Sequence, residues 1–155
     1  MPDKTDNVNK NAKGIQKVLA PVDGSAYTDR VIDHLLKQMA TEGPMELHLL
    51  NVQVPVDSGH ARMFVSAKDV EAYQREEGLA ALQSARNKLD TAGVDYKWHI
   101  AVGRSADTII QFTRENAIDR IVMGTHGRSG LTHLLLGSVA GEVSRAAVVP
   151  VTLIK

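Results

Sequence analysis

The residues best suited to chemistry lie in the last third of the chain, in the stretch GTHGRSGLTHLLLGS. Gly124 and Gly127 follow an apolar segment, and Gly137-Ser138 comes where the last predicted helix begins. Glycine permits positive φ angles and a close approach of ligand to backbone. A helix N-terminus offers unpaired N–H groups and a partial positive charge, which suit a phosphate. The spacing therefore predicts a phosphate cradle, to which Ser138 adds a hydroxyl and Arg128 a positive charge.

Alternating strands and helices must position this cradle. Apolar segments typical of strands are separated by segments with apolar residues at helical spacing. The predicted strands lie at 15–22, 45–54, 94–102, 118–124 and 148–154; the predicted helices begin after Ser25, at 69, after a cap at Ser105, and at 138. This pattern predicts an α/β protein, a single open parallel sheet with helices on both faces.

Two features of the sequence indicate which strands form the edges of the sheet. The third strand alternates between apolar and polar residues, which is typical of a half-covered strand. Pro150 in the fifth cannot donate a ladder hydrogen bond. With right-handed crossovers, these edges predict the strand order 3-2-1-4-5. Ligands bind where such an order reverses, so Asp23 and Gly124, at the ends of strands 1 and 4, should share one crevice.

Composition excludes several other classes of function. The chain has 155 residues, with 18 basic and 18 acidic side chains and no cysteine. A neutral chain has no global field for nucleic acid, and without cysteine there is no disulfide and no thiolate chemistry. The histidines have no metal-ligand spacing, so no metal site is predicted. Residues 1–14 are expected to form a flexible polar tail before a single domain of residues 15–155. With no signal core and no apolar run of bilayer length, we expect a cytoplasmic protein without a membrane span.

The glycine spacing resembles the signature of a known family. Gly124-x-x-Gly127, nine residues and then Gly137-Ser138 is similar to the G-2x-G-9x-G-(S/T) motif of the ATP-binding universal stress proteins. The resemblance covers about residues 15–155, from VLAPVDGS to the final VVPVTLI. It implies a Rossmann-like sheet similar to that of the adenine nucleotide alpha hydrolases.

The resemblance also implies a role for particular residues. Asp23 would hold the ribose or adenine end, and the backbone of Val52 would read adenine. The other expected contacts are Pro21 and Val22 beside the base, Met123 and Gly124 under the nucleoside, Gly127, His126 and Arg128 near the phosphates, and Gly137, Ser138 and Val139 at the triphosphate turn. ATP, or AMP or ADP, would bind with Mg²⁺. Members of the family dimerise through the last strand, here about residues 148–154.

Three functions remain open from the sequence. The first is a dimeric ATP-binding module of the stress response, possessing no catalytic residues of its own and signalling to an unidentified protein partner. The second is a slow ATPase or phosphotransferase that uses the same site through Asp23, His126 or Arg128. The third is a nucleotide-independent interaction module in which the glycines serve only the fold. Asp23-Gly24 is also a common turn pair, and Ser138 can be a simple helix cap.

Overall fold

The computed structural model describes residues 14–56, 66–128 and 135–155. The predicted tail, apart from Gly14, and most of the segment 55–68 between the second predicted strand and the second predicted helix lie outside these ranges. The described elements are β1 (Lys17–Pro21), α1 (Ala26–Glu42), β2 (Glu46–Gln53), α2 (Ala67–Thr91), β3 (Tyr96–Val102), α3 (Ser105–Glu115), β4 (Arg120–Gly124), α4 (Ser138–Ala146) and β5 (Val151–Ile154).

The five strands form a parallel sheet in the order β3-β2-β1-β4-β5, which confirms the predicted topology. β1 and β4 are neighbours although α1, β2, α2, β3 and α3 separate them in the chain, so the strand order reverses between them. The edges are β3 and β5, as the alternation and Pro150 predicted.

Two apolar layers hold the helices against the sheet. One layer joins α1 and α2 to one face through fully buried side chains such as Ile32, Leu35, Leu82 and Leu89. The other joins α3 and α4 to the opposite face through Ile109, Ile121, Val143 and their neighbours. Burial of each such side chain contributes about 1.5–3 kcal/mol, so both layers are substantial. The helices thus cover both faces of the sheet.

The last helix begins at Ser138 as predicted, but the cap positions of α3 and α4 differ by one residue from the sequence-based interpretations. Arg104, not Ser105, is the N-cap of α3, and Ser105 is its first helical residue. Gly137, not Ser138, is the N-cap of α4. Ser25 does occupy the N-cap position of α1, but its side chain makes no cap hydrogen bond. The preference of serine for N-caps located these cap positions to within one residue.

Among the described residues, no helix is both long enough and apolar enough to cross a membrane.

Candidate functional site

A cavity of about 410 Å³ opens at the rim where β1 and β4 end. This volume lies within the range typical of small-molecule and cofactor sites. All the site residues expected from the sequence line it: Pro21, Val22, Asp23, Val52, Met123, Gly124, His126, Gly127, Arg128, Gly137, Ser138 and Val139. The fold thus brings together residues from both halves of the chain; their roles in binding stay predictions.

The crevice begins where Pro21 interrupts the ladder between β1 and β4. The amide of Val22 donates to the carbonyl of Leu50 at 2.9 Å, so residue 22 faces β2. Since successive residues of a strand face opposite neighbours, residue 21 faces β4. Proline has no N–H to donate there. Accordingly, β1 and β4 pair only at Val18↔Arg120 and Leu19↔Ile121, and beyond these pairs the two strands leave a gap.

Close packing, not positive φ, accounts for the glycines of the cradle. Gly124, Gly127 and Gly137 are not among the residues with positive φ, so the cradle does not use that conformation. Instead, a Cβ at Gly124 would lie 2.7 Å from the Cβ of Tyr27, and one at Gly127 would lie 2.5 Å from Oδ2 of Asp23. A Cβ at Gly137 would lie 3.1 Å from the carbonyl oxygen of Thr125. At Gly124 and Gly127 a neighbouring side chain, and at Gly137 the neighbouring backbone, therefore leaves little room for a side chain.

The N-terminus of α4 faces the cavity through Gly137, Ser138, Val139 and Ala140. The first N–H groups of a helix have no acceptor within the helix, and a glycine cap has no side chain to supply one. The first turn of α4 also carries no acidic residue that would offset the partial positive charge. This end of the cavity is suited to an anion.

Asp23 stands opposite, after the end of β1, and its carboxylate is fixed by the start of α1. Its Oδ1 accepts hydrogen bonds from the amide of Ser25 at 2.9 Å and from Oγ1 of Thr28 at 3.1 Å. The same hydroxyl accepts from the amide of Asp23 at 3.1 Å, and Thr28 is only 3% exposed. Thr28 therefore holds the Asp23 carboxylate, a contact that the sequence reasoning missed. Its position five residues after Asp23, in the first turn of the helix that follows β1, was the available signal.

His126 is packed into the cavity wall. Its ring lies 5.5 Å from that of Tyr27, centroid to centroid, and its Nδ1 is 3.0 Å from Oγ1 of Thr125. The guanidinium of Arg30 lies over the Tyr27 ring, 4.9 Å from its centroid. These contacts give His126 a fixed place beside the Gly137 turn, where a Cβ at Gly137 would lie 3.2 Å from its Cα.

Further wall residues were not predicted from the motif: Leu50, Asn51, Val54, Ser105, Ile109 and Ala140. Asn51 is 4% exposed, and its Nδ2 donates to the carbonyl of Val22 at 2.9 Å, which ties β2 to the start of the Asp23 turn. Ser105 could have been predicted from the topology. It is the first residue of the helix after β3, and parallel strands place the starts of such helices at one rim of the sheet.

No group of three or more His, Cys, Asp or Glu side chains that could hold a metal ion occurs in residues 14–56, 66–128 and 135–155.

Comparisons with known proteins agree with this architecture. The sequence pattern of the universal stress protein family matches residues 14–155. The universal stress protein YxiE of Bacillus subtilis is 30% identical over 146 residues, which cover 90% of this chain and 98% of YxiE. The chain spans only 43% of the length of another relative, the universal stress protein Slr1230 of Synechocystis, with 28% identity.

Solved structures include close matches to the fold. MJ0577, a universal stress protein of Methanocaldococcus jannaschii, superposes with a TM-score of 0.76 at 26% identity, covering 90% of this chain and 95% of its own. A universal stress protein solved in complex with cAMP superposes with a TM-score of 0.68 at 25% identity, covering 92% of this chain and 99% of its own.

Proposed function

Because the chain belongs to the universal stress protein family, we propose that it binds an adenine nucleotide in the cavity between β1 and β4. ATP is the proposed ligand, and AMP and ADP are the alternatives. The observation that supports this proposal best is the convergence on one cavity of Asp23 and the N-terminus of α4. The complex of a relative with cAMP is consistent with it.

The walls divide into an end for the base and an end for the phosphates. Val22, Val52 and Met123 supply apolar surface for a planar base. The carboxylate of Asp23 is an acceptor for sugar hydroxyls, and Pro21 lies beside it. Gly124, His126, Gly127 and Arg128 border the path to the α4 turn, where Gly137, Ser138 and Val139 would meet the phosphates.

Mg²⁺ would enter with the nucleotide. This ion keeps most of its waters and is commonly held by substrate phosphates rather than by a cage of protein side chains. The described residues contain no such cage, so the phosphates would be its main ligands.

We favour binding over hydrolysis because of how Asp23 is held. A general base must be positioned within reach of the attacking water. Here Oδ1 of Asp23 accepts from Ser25 and Thr28, Oδ2 accepts from the amide of Arg128, and the acceptor capacity left on Oδ2 is assigned to a sugar hydroxyl. We thus propose a binding module and not an enzyme. In this proposal the protein is cytoplasmic and reports the nucleotide state to a protein partner in the stress response.

We further propose a homodimer through β5, about residues 148–154. β5 is an edge strand, and an uncovered edge is a template for pairing with another chain. The carbonyl of Pro150 accepts from Ile121 of β4 and that of Ile154 accepts from Thr125, just after β4, so the alternate groups of Val151 and Leu153 point outward. Val148, just before the strand, is 85% exposed and would be covered by a second copy.

Calorimetric titration with ATP and Mg²⁺ tests the proposed ligand. We expect saturable binding, reduced at least several-fold in Ser138→Ala because a hydroxyl donor to a charged phosphate is lost. Ser144→Ala, the same change at an exposed position of α4, should bind as the unaltered chain does. Mass spectrometry of ligand released from freshly purified protein identifies the nucleotide independently. Absence of binding at millimolar ATP, AMP and ADP contradicts the proposal.

A further inference from the structure

The second carboxylate oxygen of Asp23 crosses the crevice to the phosphate side. Oδ2 accepts a hydrogen bond from the backbone amide of Arg128 at 3.1 Å, between residues 105 positions apart in the chain. Gly127 is pressed against the same oxygen, because a Cβ there would lie only 2.5 Å from it. One side chain after β1 thus anchors the turn that follows β4.

The other oxygen makes this anchor rigid. Oδ1 is held by the amide of Ser25 and the buried hydroxyl of Thr28, which fix the direction of the carboxylate. A carboxylate held on one oxygen can position whatever binds the other. In this way the start of α1 determines where the backbone of Gly127 and Arg128 lies.

The charge of Asp23 has an electrostatic cost for phosphate binding, which the anchor can offset. A carboxylate beside a polyphosphate repels it, so Asp23 weakens phosphate binding through its charge alone. A hydrogen bond that holds the phosphate-side turn in place offsets that cost. Oδ2 has a further lone pair, so a sugar hydroxyl can bind the same oxygen that holds the turn.

We infer that Asp23 is a positioning residue for the phosphate-side turn at Gly127 and Arg128, in addition to the sugar contact proposed above. This inference rests on the proposed nucleotide site for its ligand and on the Asp23–Arg128 contact for its geometry. One carboxylate then couples recognition of the sugar to the shape of the phosphate side.

Hydrogen exchange of the protein without ligand tests the anchor. Asp23→Ala should speed exchange of the Arg128 amide by about tenfold, because a hydrogen bond to a charged acceptor is lost. Asp33→Ala is the matched control: it removes an exposed carboxylate from α1, where Asp33 pairs with Lys88. Asp23→Asn retains the size of the side chain and keeps Oδ1 for Ser25 and Thr28, but turns an N–H toward the amide of Arg128. Unchanged protection of Arg128 in both Asp23 variants overturns the inference.

Comparison of the affinities for adenosine and for ATP separates the two roles of Asp23 in binding. If Asp23 also positions the turn, Asp23→Ala lowers the affinity for ATP by a larger factor than the affinity for adenosine, although removal of the negative charge should favour ATP. Equal losses for both ligands, or a smaller loss for ATP, show that the carboxylate acts on the sugar alone and contradict the inference. If the unaltered chain binds neither ligand, the proposed function fails, whereas the exchange experiment still decides whether Asp23 holds the turn.

Discussion

Ile100 of β3 fills the space that a side chain at Gly78 of α2 would occupy. A Cβ at Gly78 would lie 2.8 Å from Cδ1 of Ile100 and 2.9 Å from both of its Cγ atoms. This contact accounts for a glycine inside a 25-residue helix, where it costs about 1 kcal/mol relative to alanine. Gly78 lowers the intrinsic stability of α2, but it allows α2 to pack close to the edge strand β3.

The contact predicts that the effect of Gly78→Ala on stability changes sign when Ile100 is replaced by alanine. Gly78→Ala should lower the free energy of unfolding, because overpacking costs about 1–3 kcal/mol and exceeds the gain in helix propensity. In an Ile100→Ala background the same change should stabilise, since the clashing atoms are gone. Urea unfolding of the four proteins measures the coupling. The same sign in both backgrounds would show that the two residues do not compete for this space.

A methyl group at Gly127 should damage the site without damaging the fold. Gly127→Ala places a Cβ against Oδ2 of Asp23 and forces the turn or the carboxylate to move. A shift that costs about 1.4 kcal/mol already lowers affinity tenfold, so we expect at least about that loss for ATP.

Gly141→Ala is the control for this experiment. Gly141 lies in α4, and the nearest atom to an added Cβ there would be Nη1 of Arg145 at 3.5 Å, which is ordinary contact. The Gly141→Ala variant should retain its affinity for ATP and be slightly more stable than the unaltered chain. Equal affinity of the two variants for ATP would argue that the Gly127 turn does not contact the ligand.

Val148 offers a test of the proposed dimer that leaves the monomer intact. Since this side chain is 85% exposed, Val148→Asp removes little packing within the chain. At a covered interface the buried charge should raise the dimer dissociation constant at least about tenfold. Sedimentation velocity over a dilution series measures it. Ile15→Asp, at a residue 62% exposed before β1, controls for added charge, and dissociation of both variants alike would speak against the β5 interface.

Stability should fall in mild acid because of a histidine pair between β2 and β3. Nδ1 of His48 lies 3.0 Å from Nε2 of His99, and Nε2 of His48 lies 3.0 Å from Oε1 of Glu46, to which Lys97 also donates. Burial lowers the pKa of His99, and the charges of His48 and Lys97 act in the same direction. The unfolded chain then binds more protons than the folded one below about pH 6.5.

The contribution of His99 is therefore fully present above that pH and is lost as the pH falls through the folded pKa. Urea unfolding between about pH 7.5 and pH 5 should show a decline that is smaller in His99→Gln, whose amide can still donate to His48. Titration of the His99 ring by NMR gives the pKa directly. A midpoint at or above that of an unfolded peptide would contradict this prediction.

The sheet was predictable because its signals are local. Each strand and helix is marked by its own periodicity, and the two edges are marked by Pro150 and by the alternation in β3. The twelve expected wall residues were those that the resemblance to the family implied, and the strand order independently predicted that Asp23 and Gly124 share one crevice. Contacts between distant residues left no such mark: the Asp23–Arg128 bond and the His48–His99 pair join positions 105 and 51 apart. Likewise, the close contacts that require Gly78 and Gly127 depend on packing, not on local conformation.

The gap that begins at Pro21 also bears on how this protein can change over evolution. The opening between β1 and β4 lies where the strand order reverses and begins at Pro21, which has no backbone donor, so the backbone and not the wall side chains alone sets its position. Substitutions at Val22, Val52 or Met123 can therefore reshape the surface that faces the base while the opening itself persists. A lineage that retains Pro21 and this strand order can acquire a new ligand preference by single substitutions in the walls, each of which leaves the sheet unaltered.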